Sequence, residues 1–228
     1  MRETNYGNLK VFYREKTADE SVLEHSFDKD IFLSAISNYE IKNDATIIDV
    51  GAHIGTFSLL SATKYTDSKI YALEPCAETY GVLERNITSN NLQNRIKSLQ
   101  KALDSETTTL KLYHDERTGN WGHSIVSELS NSYELVNTIT LHSLFSNHSI
   151  NHCDLIKFNC EGAEFRIIKD APNDLINKIK LWIILFHEDL EHKINHQTIV
   201  EKFRENQFNL DLKFTSPDNK RGWIIANK

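Results

Sequence analysis

Ala45-Thr46-Ile47-Ile48-Asp49-Val50-Gly51-Ala52-His53-Ile54-Gly55-Thr56-Phe57 decides the fold of this chain. The run from Thr46 to Val50 has the length and β-branched content of a buried strand. It passes through two glycines into a segment, Thr56 to Lys64, in which Phe57, Leu59, Leu60 and Thr63 supply a buried helical side. In an open α/β sheet, ligands bind beyond the carboxyl ends of the strands, and a strand, glycine turn and helix in that order form such a site. Gly51 lets a ligand approach with no Cβ in the way, and Gly55 lets the helix start close to the strand.

The spacing of the turn, Gly-x-x-x-Gly, is neither the G-x-G-x-x-G of dinucleotide folds nor the G-x-x-x-x-G-K-[ST] of P-loops. A turn with few phosphate-holding glycines and an acid at the strand end, Asp49, suits a ligand with an adenosine and a cationic amino-acid part. S-adenosylmethionine is such a ligand. A second apolar run, Ile70-Tyr71-Ala72-Leu73, ends in Glu74-Pro75. A parallel neighbouring strand presents a carboxylate to a ribose at that point.

Working outward, strand-like and helix-like periods alternate after residue 45, which calls for a parallel sheet with helices on both faces. The expected helices run from about Ala77 to Asn90, Ala163 to Lys169 and His196 to Glu205. Further strands are expected at Ile96 to Gln100, Asp154 to Asn159 and Lys180 to Phe186. The last of these is continuously apolar, as in a central strand covered on both faces. Thr108 to Tyr113 and Val136 to Thr140 form an extended excursion, and Phe208 to Phe214 with Gly222 to Ala226 form an antiparallel edge hairpin. Residues 1–44 are read as a cap segment over the site, helical from Asp28 to Tyr39. The fold class is thus α/β: a doubly wound, mostly parallel, seven-stranded Rossmann-like sheet over residues 45–228, one globular unit with a short N-terminal helical cap.

With 228 residues, only 3 Pro and 8 Gly, and no repeat or block of like charge, the chain reads as ordered almost throughout. A net charge of −6 argues against a protein that coats duplex nucleic acid, which needs a basic stripe. Met1 to Tyr6 lacks the apolar core of a signal peptide, and the longest apolar run, Leu181 to Phe186, is too short to span a bilayer. A cytoplasmic protein is the expectation. Cys76, Cys153 and Cys160 are odd in number and lack CxxC spacing, so neither a disulfide framework nor a zinc site is expected from the sequence.

Five motifs in order make the chain similar to a known family. They are Ile48-Asp49-Val50-Gly51-Ala52-His53-Ile54-Gly55; Ala72-Leu73-Glu74-Pro75; Glu84-Arg85-Asn86-Ile87 with Asn90-Asn91-Leu92; Lys101-Ala102-Leu103; and Asp154-Leu155-Ile156-Lys157-Phe158-Asn159-Cys160-Glu161-Gly162-Ala163-Glu164. Over roughly residues 45–190 the chain resembles the FkbM-type methyltransferases. The resemblance implies a class I methyltransferase fold, S-adenosylmethionine as donor, S-adenosylhomocysteine as product, and mostly hydroxyl acceptors on sugars or natural products. It extends to amide-nitrogen acceptors on peptides in related enzymes. The chain departs from the family pattern at His53, where Asn is usual; at Asn159, where Asp is usual; and at His142-Ser143, where an Asp pair is usual. Asn159 keeps hydrogen bonding but loses a charge, which disfavours a divalent metal at that strand end; no metal is expected.

The expected donor-binding set is Asp49, Gly51, Ala52, His53, Gly55, Glu74, Pro75, Lys101, Ala102 and Asn159. Methyl transfer from a sulfonium is an in-line displacement, so the protein must position the acceptor and remove its proton. His187 and Glu188 follow the strand ending at Phe186, and Glu161 follows the one ending at Asn159. His187 is the preferred base because its ordinary pKa lies near operating pH. Glu161 and Glu188 are the other catalytic candidates. His187 to His192 is not a zinc-protease motif, since residue 191 is Glu. Trp121, in a polar loop from Gly119 to Ser124, is read as covering adenine or acceptor, or as a surface anchor. The leading function is O-methylation of a hydroxyl on a sugar or natural product, the partner being a small-molecule, glycan or peptide acceptor. The alternatives are N-methylation of an amide and a catalytically silent nucleoside-binding module.

Overall fold

The computed structural model describes residues 1–114, 123–126, 131–190 and 194–228. Two strands, β1 (Arg2–Tyr6) and β2 (Leu9–Tyr13), open the chain, followed by α1 (Ala18–Leu23), a π-helical turn (Glu24–Asp28) and α2 (Ile31–Ala35). Then come β3 (Thr46–Val50), α3 (Thr56–Lys64), β4 (Lys69–Leu73), α4 (Ala77–Ser89) and β5 (Ile96–Leu99). A side excursion holds β6 (Ala102–Leu103), β7 (Thr109–His114), β8 (His123–Ser124) and β9 (Tyr133–Ile139). The chain returns through α5 (Leu141–Asn147), β10 (Cys153–Phe158), α6 (Glu164–Asp170), α7 (Asn173–Ile176), β11 (Ile179–His187) and α8 (His196–Glu205). It ends in β12 (Asn209–Phe214) and β13 (Arg221–Asn227).

The main sheet has seven strands in the order β12-β13-β11-β10-β3-β4-β5. Its five inner and right-hand strands are parallel; β13 runs antiparallel to both β11 and β12. The expected doubly wound sheet with an antiparallel edge hairpin is therefore what the chain forms. Strand order reverses between β3 and β10, where Ile47 pairs with Leu155 and Val50 with Phe158. A crevice at the carboxyl ends of those two strands follows from that reversal. β3, β10 and β11 are apolar on both faces because helices cover both. One apolar cluster, with Phe158, Trp182, Phe203 and Ile168, fills one face; the other, with Ile47, Leu59, Leu83 and Leu155, fills the opposite face.

Three features differ from the sequence expectation. The N-terminal segment is not simply helical: a β-hairpin precedes its helices, and the expected helix from Asp28 to Tyr39 shrinks to α2 after the π-helical turn. Val11, Leu23, Phe32 and Ile36 of this segment join the cluster of Ile47 and Leu59, so the cap shares the core. The excursion is a four-stranded sheet, β6-β9-β7-β8, larger than the two expected strands. α5 was also unexpected, and is started by Thr140, whose hydroxyl accepts from the Ser143 N–H at 3.0 Å.

Candidate active site

The turn after β3 is left-handed at three positions, Gly51 (φ 71°), His53 (φ 54°) and Gly55 (φ 88°). A Cβ at Gly51 would stand 2.0 Å from the carbonyl oxygen of Asn159, so the turns ending β3 and β10 touch through a glycine. A Cβ at Gly55 would meet Leu83 at 2.5 Å, which fits the close helix start read from the sequence. The turn after β10 is left-handed too, at Glu161 (φ 53°) and Gly162 (φ 98°). A non-glycine residue in that conformation is uncommon, and here it aims Glu161 at the crevice.

A cavity of about 600 Å³ lies at this switch point, within the range of small-molecule sites. Eight of the ten expected donor-binding residues line it: Gly51, Ala52, His53, Glu74, Pro75, Lys101, Ala102 and Asn159. Asp49 and Gly55 do not. The Asp49 carboxylate is fully buried beneath the turn, paired with Lys157 Nζ at 3.0 Å and accepting from Ser58 Oγ at 2.7 Å. It faces into the sheet because both oxygens are engaged there, and the sequence position at a strand end could not disclose this. Lys157 also donates to the Gly51 carbonyl at 2.8 Å and so braces the turn.

Glu74 follows β4 as a buried carboxylate, 5% exposed. Oε2 accepts from the His53 N–H at 2.9 Å and Oε1 from the Cys76 N–H at 3.0 Å. Two backbone donors fix its direction, while burial pushes its pKa up to about 7.

Of the catalytic candidates, His187 and Glu161 line the cavity and Glu188 does not. His187 Nε2 lies 3.9 Å from Glu161 Oε2, and its Nδ1 lies 3.8 Å from Glu164 Oε1. Burial works to lower the imidazole pKa, but the Glu161 and Glu164 carboxylates outweigh it and hold it above the ordinary value. Burial raises Glu161 in turn. Glu188 is drawn away to the start of α8, where its Oε2 accepts from the His196 N–H at 3.0 Å and meets His196 Nδ1 at 2.6 Å. Trp121 lies outside the described residues.

Sequence reading missed several contributors. Glu164, fully buried, accepts from the backbone N–H of both His187 (2.8 Å) and Gly162 (3.0 Å) and ties β11 to the turn after β10. Its place as the last acid of Glu161-Gly162-Ala163-Glu164 was the available signal. Arg221 and Asp189 stand at the cavity wall as a two-pronged ion pair, with Arg221 Nη2 at 2.7 Å and Nε at 3.0 Å from the carboxylate. From the cap come Ser26, Ile31 and Phe32. Ser26 Oγ lies 2.7 Å from Thr56 Oγ1 at the first position of α3.

This strand order, with its cavity at the reversal, is the class I methyltransferase fold. Solved structures share it: a methyltransferase FkbM from Methylobacillus flagellatus KT superposes at a TM-score of 0.56 and 15% identity, over 83% of this chain and 45% of that one. The N-terminal domain of human METTL16 gives 0.56 at 12% identity, over 98% and 76%. The family model for the methyltransferase FkbM domain matches residues 49–210, and the chain belongs to that family. Among curated relatives, Methyltransferase sdnD of Sordaria araneosa is 42% identical over 86 residues, 36% of this chain and 33% of that protein. Hexuronic acid methyltransferase AglP of Haloferax volcanii is 24% identical over 154 residues, 68% of this chain and 61% of that protein. The chain thus spans between a third and two thirds of the relatives it matches.

S-adenosylmethionine is the cofactor that family membership brings, and the residues present fit it. Glu74 is a desolvated carboxylate oriented by two amides where a ribose diol would meet it, while the missing Cβ of Gly51 serves the contact with the Asn159 carbonyl and does not itself make room for the donor. Asn159 Oδ1 is a buried acceptor with no hydrogen-bond partner among the described residues, on the cavity wall. Among the described residues no helix is long and apolar enough to cross a membrane.

Proposed function

We propose that this protein transfers a methyl group from S-adenosylmethionine to a hydroxyl of a sugar or natural product, with His187 as general base. The observation that carries this reading is a buried imidazole flanked by two carboxylates on the wall of the same cavity as the Gly51 turn and Glu74. The sugar acceptor draws support from the hexuronic acid methyltransferase among the relatives.

The bound donor supplies an electrophilic methyl on a positively charged sulfur. Glu74 would hold the donor's ribose, and Gly51, Ala52, Asn159 and Lys101, which line the same cavity, would wall it in. As the acceptor oxygen forms the new C–O bond, the methyl–sulfur bond would break with its electron pair left on the sulfur of S-adenosylhomocysteine, and His187 Nε2 takes the hydroxyl proton. Glu161, 3.9 Å from Nε2, is too far to engage that nitrogen in a hydrogen bond and stabilises the imidazolium that forms. Glu164 fixes the backbone of His187 and stands 3.8 Å from Nδ1, where its charge adds support for the imidazolium. The apolar side chains of Phe32 and Phe57 exclude water from the donor side.

Labelled donor incubated with panels of sugars, hydroxylated natural products and peptides, read by mass spectrometry, tests the reading. The expected product carries one methyl on oxygen. His187→Ala is expected to lower kcat by roughly 10²–10⁴-fold with donor affinity retained. Label on an amide nitrogen would replace the hydroxyl reading, and donor binding without transfer to any class would leave a silent nucleoside-binding module.

A further inference from the structure

Beside the cavity wall, Cys76, His114 and Glu134 each bring one ligand atom within 4.8 Å of the others. They are far apart in sequence and meet through the fold. Cys76 caps the N-terminus of α4, His114 ends β7 and Glu134 lies in β9. In the β7–β9 ladder Leu112 pairs with Glu134, and His114, two residues on, shares the face of Leu112. Leu112 is buried against Cys76 together with Ala102 and Val136, which brings that face of the small sheet onto the start of α4. His114 Nε2 lies 3.9 Å from Glu134 Oε1.

We propose that Cys76, His114 and Glu134 bind one zinc-type divalent cation, which staples the small sheet to the start of α4. A thiolate, an imidazole and a carboxylate together suit zinc better than the hard cations, which prefer all-oxygen shells. Tetrahedral zinc with bonds of about 2.0–2.3 Å holds its ligand atoms roughly 3.3–3.8 Å apart, so the three groups close by about an ångström. The surroundings already have the form of an outer shell. Glu134 Oε2 accepts from the Ala77 N–H at 3.2 Å, which orients the carboxylate and leaves Oε1 for the ion. Ala102, Leu112, Val136 and Ile125 pack in one cluster with Cys76, while the His114 and Glu134 side chains stay partly exposed and leave the ion a way in. The cation is structural in this reading: it fixes the turn in which the Cys76 N–H holds Glu74, and it takes no part in methyl transfer.

Full-length protein freed of metal by a chelator and then titrated with Co²⁺, followed by absorption, tests this independently of activity. One equivalent is expected to produce a sulfur-to-cobalt band in the near ultraviolet and the visible bands of four-coordinate cobalt, both removed by Zn²⁺. Cys76→Ser is expected to abolish the near-ultraviolet band, and Cys160→Ser to keep it. His114→Ala and Glu134→Gln are expected to weaken binding by roughly tenfold or more. Glu134→Gln is nearly isosteric and keeps an oxygen for Ala77, so circular dichroism should show it folded while its affinity drops. Zn²⁺ should raise the Tm of the parent protein and not that of Cys76→Ser. A cobalt spectrum without a sulfur band, a band that survives in Cys76→Ser, or an absence of saturable binding in the parent protein would each overturn the proposal.

Discussion

His187 is asked to be neutral enough to accept a proton and well enough supported to keep it. Burial favours the neutral ring, while Glu161 and Glu164 hold its pKa above the ordinary value. The stability this contributes is fully present below the ordinary histidine pKa of about 6.5 and fades as pH rises through the raised folded value. Activity has the opposite sign, because the base works only when neutral. kcat/KM is therefore expected to rise with pH through a limb displaced above 6.5. Glu161→Gln removes the larger of the two supporting charges, so the limb should move to lower pH and the plateau should fall. A pH–rate profile of parent and variant checks this, and a limb that stays put or climbs would remove Glu161 from the role. Gly51 admits a second residue-scale test. With φ at 71° and a would-be Cβ 2.0 Å from the Asn159 carbonyl, Gly51→Ala must shift one of the two strand-end turns. A loss of about 1 kcal/mol or more in stability is expected, with weakened S-adenosylmethionine binding by calorimetry.

Elements explain what could and could not be read from the chain. α3 and α8 have the bounds expected from their spacing, Thr56–Lys64 and His196–Glu205, since each carries its own apolar side and local start signal: a left-handed Gly55 for one, and for the other Asn195, whose side chain accepts from Gln197. β1 and β2 escaped because β1 alternates exposed polar residues with half-buried ones and so lacks an apolar face. The Gly7-Asn8 pair between Tyr6 and Leu9 was the one local hint of a hairpin. The site divides similarly. The glycine turn and Glu74 follow directly on apolar strands, and that position on the cavity wall could be read from the chain; Asp49 looked like a ligand-facing acid only because its partner, Lys157, lies on another strand. Asn86, whose partners lie far from it in sequence, shows how the hairpin is attached. Fully buried in α4, it accepts from the Phe12 N–H at 2.6 Å and donates to the carbonyls of Phe12 at 3.1 Å and Ile54 at 2.8 Å. One amide thus joins β2, α4 and the cofactor turn. Asn86→Ala leaves these groups buried and unpaired, at about 1–3 kcal/mol for each one stranded. A Tm lower by roughly 10 °C or more, measured by calorimetry, is expected, and an unchanged Tm would show that the hairpin is held by other contacts.

At the scale of the whole molecule, the two apolar clusters lie on opposite faces of one sheet, and the cavity opens at the strand ends where both stop. The pair formed by Asp49 on β3 and Lys157 on β10 sits at that boundary, across the register Asp49↔Lys157. Lys157 Nζ is 5.1 Å from the centroid of the Phe32 ring, so the same ammonium touches cap, sheet and cofactor turn. A charge pair this buried gains its worth from being complete. Removing one partner strands the other charge, at about 3–5 kcal/mol, whereas replacing both removes the desolvation cost along with the attraction. Lys157→Met is therefore expected to be severely destabilising, moving the urea midpoint down and lowering Tm by roughly 10 °C. Asp49→Asn combined with Lys157→Met should recover much of that loss, since Asn keeps a partner for Ser58 Oγ and carries no charge. The double variant should still bind the donor poorly, because the Gly51 carbonyl has lost its brace. Stability restored without donor binding would separate the pair's two roles, one in the core and one in the turn. A double variant no more stable than Lys157→Met alone would mean that the brace on the turn, and not the buried charge, holds this boundary together.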